Sequence, residues 1–112
     1  MTEHSEELCP RFHRAVELIG RRWTGAVLRV LMNGPQRFNA LMACIPGISD
    51  RLLSERLREL DGAGLVKRTV CSGPPISVVY ELTPPGRDLE AALNMLGRWA
   101  ERWMPVPERR AG

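Results

Sequence analysis

Twelve residues, SDRLLSERLREL from Ser49 to Leu60, carry two different chemistries on opposite sides of one helix. At about 100° per residue, Leu52, Leu53, Leu57 and Leu60 fall together. Arg51, Ser54, Glu55 and Arg58 fall opposite them, with Glu59 at the edge. A guanidinium can donate two parallel hydrogen bonds to guanine, a serine hydroxyl can donate or accept, and a carboxylate can accept from cytosine. The polar side therefore suits base edges in the major groove of double-stranded DNA. Ser49 is a good N-cap, and Asp50 in the first turn favours the helix dipole. The N-terminal residues of such a helix reach the bases, which puts Arg51 and Ser54 first and Arg58 at phosphate or a deeper base. Arg56 lies at the flank, where it serves phosphate or an internal ion pair. An ordinary amphipathic helix would show the same two faces, so the surrounding elements must decide.

Cys9 stands immediately before Pro10, a residue that opens helices, so its thiol sits at a helix N-cap. The helix dipole there favours thiolate over thiol, and His13 follows one turn on. A reactive thiol is one reading of Cys9, and a structural or incidental cysteine is the other. Cys44 is expected to pack within a helix and Cys71 to lie in a hairpin. Three cysteines, none in CxxC or CxxH spacing, argue against a disulfide framework or structural zinc and for a reducing, cytoplasmic compartment. His4, Cys9 and His13 are weak ground for a metal site, and neither a metal nor a cofactor is expected. No nucleophile–base pair, glycine-rich phosphate loop or paired carboxylates appear, which argues against an enzyme.

The first eight residues contain Glu3, Glu6 and Glu7 and no Lys or Arg, and they read as a flexible acidic arm. Residues 9–112 hold 16 basic and 10 acidic side chains, a net of +6, which suits a polyanionic partner. No apolar run reaches the length of about 18 residues that a membrane helix needs, and the acidic start does not read as a signal peptide.

The elements that would position these residues follow from periodicity. A first helix from Pro10 carries Phe12, Ala15, Val16 and Ile19 on one face and ends at Gly20. A second runs from Trp23 to Met32, and a short third from Phe38 to Cys44. Ile45-Pro46-Gly47-Ile48 then makes a tight turn into the helix from Ser49 to Gly62. Leu65–Val70 and Ser77–Leu82 read as two strands around the turn SGPP. Thr83 caps a single long last helix, striped by Leu89, Ala92, Leu93, Leu96, Trp99 and Trp103, and residues 105–112 read as a frayed tail. Residues 9–104 thus form one domain, mainly α with a small β-hairpin (α+β). Helix, tight turn and capped helix make a helix-turn-helix. The hairpin directly after it is a wing, giving a winged helix-turn-helix.

The chain resembles the HxlR-type winged-helix transcriptional regulators. The stretches that carry the likeness are Cys9-Pro10, IGRRWT (Ile19–Thr24), GPQRFNAL (Gly34–Leu41) and IPGISDRLLSERLREL (Ile45–Leu60). GLVKR (Gly64–Arg68), Pro74-Pro75, YELTPPG (Tyr80–Gly86) and Trp99 continue it. The resemblance implies a homodimer on an inverted-repeat operator, paired through the first and last helices. That would place Phe12, Val16, Leu89, Leu93, Leu96, Trp99 and Trp103 at the dimer interface, although core packing equally accounts for Leu89 and Leu93. It also makes Cys9 a candidate sensor of oxidants or electrophiles. Two positions depart from the pattern. Ile76 occupies the usual basic place of the wing tip, with one extra residue before Tyr80, which leaves Lys67 and Arg68 as the wing-side contacts. Arg21 stands where Gly is frequent, and it and Arg22 either reach phosphate or face water. Two other readings remain open at this stage: a winged helix that binds protein, and a small-molecule-responsive regulator without a thiol switch.

Overall fold

Residues 9–107 are described by a computed structural model. The expected acidic arm and residues 108–112 of the expected tail lie outside them. Helix α1 (Pro10–Ile19) begins with Cys9 as its N-cap and Pro10 in its first turn, where a missing N–H costs nothing. Gly20 closes it. Helix α2 (Thr24–Leu31) starts one residue later than its apolar pattern suggests. Trp23 is its N-cap and adopts a left-handed φ of 78°, a conformation that a bulky residue holds only when its surroundings fix it. Gly47 lies under the indole: a Cβ built there would stand 3.3 Å from Cη2 of Trp23.

A short strand β1 (Gln36–Arg37) leads into α3 (Phe38–Cys44). The turn at Pro46-Gly47 then delivers α4 (Asp50–Gly62). Ser49 caps α4, its Oγ accepting from the Leu52 N–H at 3.1 Å. Strands β2 (Val66–Cys71) and β3 (Ser77–Leu82) form an antiparallel hairpin. Strand β1 adds to the other edge of β3, giving the order β1-β3-β2, with Gln36 opposite Tyr80 and Arg37 opposite Val79. The single long last helix of the sequence reading is two helices, α5 (Pro84–Asp88) and α6 (Glu90–Trp103). Between them the Leu89 N–H donates to the Gly86 carbonyl, a tightened i to i+3 turn that interrupts the α-helical ladder.

One core joins these pieces. Val27, Leu28 and Leu31 of α2, Leu41 of α3 and Leu53, Leu57 and Leu60 of α4 are buried together with Val66, Leu82 and Leu93. Burying such side chains is worth about 1.5–3 kcal/mol each and dominates the stability of the fold. Ile45 and Leu41 take the inward positions at the end of α3, so Cys44 is exposed rather than packed as expected. Helix α1 buries no residue fully, and α6 buries only Leu93. No helix among the described residues is long and apolar enough to cross a membrane.

Candidate nucleic-acid interface

The leucines of α4 fix its rotation, and that rotation sets its outer side. Arg51 is almost fully in solvent, its side chain 88% exposed, with Nε 3.4 Å from Oε2 of Glu55. Arg58 is exposed, and Ser54 and Glu55 are half-buried. Among the described residues no carboxylate lies within ion-pair distance of Arg58 or Arg68. These two arginines line one open cleft of about 320 Å³, together with Ser54, Asp61 and Tyr80. Helix α4 contributes one wall and the hairpin the other.

The strand period of two separates the two expected wing-side cations. Arg68 pairs with Tyr80 across the ladder, and both face the cleft. Lys67 pairs with Glu81 and is exposed, but it does not line the cleft. The sequence reading missed Tyr80 and Asp61. Tyr80 could have been found from its register with Arg68, and Asp61 from its place one turn beyond Leu57 and Arg58.

Arg56 corrects the expected contact set. Its side chain is only 7% exposed, with Nε donating to the Arg22 carbonyl at 2.8 Å and Nη1 donating to Oε2 of Glu59 at 3.0 Å. Of its two expected roles, phosphate contact or internal pairing, the geometry is that of internal pairing. Arg21 is also committed, its Nε 3.3 Å from Oε1 of Glu59.

At the start of α1, Cys9 is exposed, and its side chain makes no capping hydrogen bond. His13 does not turn toward the thiol. Its Nε2 lies 3.4 Å from Oε2 of Glu17, while its backbone N–H donates to the Cys9 carbonyl. No group of three metal-ligating side chains occurs among the described residues, and His4 lies outside them. Phe12 and Val16 of α1 are exposed, as are Leu96, Trp99 and Trp103 of α6, with Trp99 at 54% and Trp103 at 64%. Leu93 is buried in the core, which takes it out of the expected interface, while half-buried Leu89 packs against that core.

Helix α3, a tight turn, the capped helix α4 and the hairpin beside it define a winged helix-turn-helix protein. The chain belongs to the HxlR-like helix-turn-helix family, which it matches over residues 18–108. It is 41% identical to the HTH-type transcriptional regulator YvaP of Bacillus subtilis, over 90% of this chain and 94% of that protein. It is 40% identical to the HTH-type transcriptional regulator YodB of the same organism, over 86% of each. The reduced form of YodB superposes with a TM-score of 0.81 at 38% identity, covering 90% of this chain and 99% of YodB. YodB has also been solved diamide-treated and quinone-bound. The redox regulator HypR in its oxidized form superposes with a TM-score of 0.80 at 35% identity, covering 88% of this chain and all of that one. The chain is therefore a DNA-binding transcriptional regulator, and its family is not one of enzymes.

Proposed function

We propose that the chain acts as a homodimer that reads an inverted-repeat operator through α4, and that thiol modification of Cys9 switches this binding. The observation that carries the reading is the placement of Arg51, Ser54 and Arg58 on the solvent side of a helix whose opposite side is locked in the core. Glu55 engages Arg51 through Nε, which leaves the two terminal amino groups of the guanidinium to donate to one guanine. Ser49 and Ser54 lie beside it for phosphate and base. Arg58 and Arg68, across their shared cleft, suit backbone phosphate. Lys67 reaches only phosphate outside that cleft.

The homodimer reading rests on aromatic and aliphatic side chains that the core does not use: Phe12, Val16, Leu96, Trp99 and Trp103. Apolar surface of this kind, concentrated on two helices, marks an interface. Paired across it, two copies of α4 would meet major grooves about 34 Å apart. Cys9 caps the same helix that presents Phe12 and Val16, so a group added to its thiol would sit beside the pairing surface. The diamide-treated and quinone-bound forms of YodB support an oxidant or electrophile as the effector.

Footprinting on DNA upstream of its own and neighbouring genes tests the reading. A protected inverted repeat is expected. A single unrepeated half-site would overturn the dimeric geometry. Duplex affinity that ignores salt would overturn DNA reading and favour a protein partner, because each phosphate neutralised should contribute a slope of about 0.9.

A further inference from the structure

We propose that Arg56 and Glu59 are positioning residues that key the recognition helix α4 to the corner between α1 and α2, and so fix the half-site spacing that the dimer accepts. The inference rests on the reading that α4 enters the major groove of an operator bound by two copies. Arg56 is a charged side chain enclosed by the fold. A buried guanidinium is costly unless its donors are satisfied, and an ion pair made by such a group is weak evidence of stability.

The partners of Arg56 define what is being oriented. Its Nε donates to the Arg22 carbonyl at 2.8 Å, and its Nη1 donates to Glu59 at 3.0 Å. The other oxygen of Glu59 is itself buried, accepts no hydrogen bond among the described residues, and lies at ion-pair distance, 3.3 Å, from Nε of Arg21. Two side chains of α4 therefore hold two consecutive residues of the corner, one by its backbone and one by its side chain. Glu55 extends the series outward, with one oxygen 3.4 Å from Arg51 and the other 4.0 Å from Arg56. The same corner is fixed a second time, by Trp23 lying against Gly47 in the turn that precedes α4.

Helix α1 has little else to orient it. None of its residues is fully buried, and only Leu18 and Ile19, beside the corner, pack against the core. Its remaining turns carry Phe12 and Val16 toward the proposed partner. The direction in which α1 leaves the domain is thus set by the corner, which Arg56 and Glu59 hold from α4 alongside the packing of Ile19 and Trp23. If α1 pairs the protomers, these two residues fix how far apart and at what angle the two copies of α4 stand. Moving one half-site by one base pair displaces it by about 3.4 Å and rotates it by about a tenth of a turn, so spacing is a sensitive reporter.

The test uses the full chain and a randomised duplex library from which each variant selects its own sites. Wild-type protein should select inverted repeats of one spacing, and should lose about tenfold in affinity when that spacing is changed by one base pair. Arg56→Lys keeps the charge but not the fork, and Glu59→Gln keeps the shape but not the charge. Both should select several spacings and lose most of that tenfold discrimination, with affinity for an isolated half-site within about twofold of wild type. Should Arg56→Lys fail to fold, as read by its thermal transition, Glu59→Gln carries the same expectation. If a folded variant selects the single wild-type spacing with undiminished discrimination, the inference is overturned while operator reading stands. If wild-type protein selects no repeated sequence, the operator reading fails and takes the inference with it.

Discussion

Arg58 of α4 and Arg68 of β2 line the same open cleft, one from each wall, and neither has a carboxylate within ion-pair distance among the described residues. Arg51, Arg56 and Arg87 each have such a partner on their own helices or the next. The uncommitted pair is where a phosphate gains most. Arg58→Ala and Arg68→Ala should each weaken duplex binding about tenfold and lower the salt slope by about one. Lys67→Ala, on the other face of the strand, should have a smaller effect. Fluorescence anisotropy across a salt series separates these outcomes, and equal losses for Lys67 and Arg68 would deny the cleft a special role.

Arg51→Ala should act differently, because a contact to a base edge discriminates between sequences. A loss of about 1–3 kcal/mol is expected on the selected site and much less on unrelated duplex. Competition binding with the two duplexes measures the ratio. A uniform loss on both would make Arg51 another phosphate ligand.

Trp99 and Trp103 are large exposed side chains on α6, which the core holds through Leu93 and Leu89. Replacing both with alanine should weaken self-association by about 2 kcal/mol or more, while the fold tolerates the change. Sedimentation equilibrium reads the first, and circular dichroism the second. An unchanged dimer constant would place the protomer contact elsewhere.

Gly86 is buried against the backbone at the root of the hairpin, and a Cβ there would overlap the Leu65 carbonyl. Neither partner can rotate away, since the Leu65 carbonyl also accepts from the Thr83 N–H. Gly86→Ala should therefore destabilise the fold by about 1–3 kcal/mol or more, read as a lower urea midpoint. A midpoint equal to wild type would show that the α5 turn shifts freely.

All three cysteines are exposed, so a thiol reagent alone does not identify the switch. In the proposed mechanism the Cys9→Ser protein keeps its DNA affinity under diamide, whereas the Cys44→Ser, Cys71→Ser double variant still loses it. Gel-shift titrations with and without the oxidant distinguish them. A Cys9→Ser protein that releases DNA as wild type does would end the assignment.

Much of this arrangement was legible in the sequence where the determinants are local. The leucine spacing of α4 and the Ser49 cap depend on residues within one or two turns, and both are found where the pattern places them. Strand β1 was invisible because its two residues become a strand only by pairing with Tyr80 and Val79, far along the chain. Arg56 sits at the flank of a helical projection, and what turns it inward is the Arg22 carbonyl, which a projection of α4 alone cannot include. Leu93 and Leu96 share one stripe on α6, yet one is buried and the other exposed. A stripe reports that a face is apolar, not which neighbour covers it.

The two-residue ladder between β1 and β3 meets the hairpin at its middle, at Val79 and Tyr80. It ties that point to the segment entering α3, so the wing is braced at mid-length by a third strand and continues outward to its tip as two. Arg68 and Tyr80 sit on the anchored part, whereas Ile76 projects from the unsupported end. The hairpin is thus built like a cantilever: Arg68, proposed above as a phosphate contact, is held with the helix-turn-helix on the braced part, and the uncharged tip is the part free to adjust.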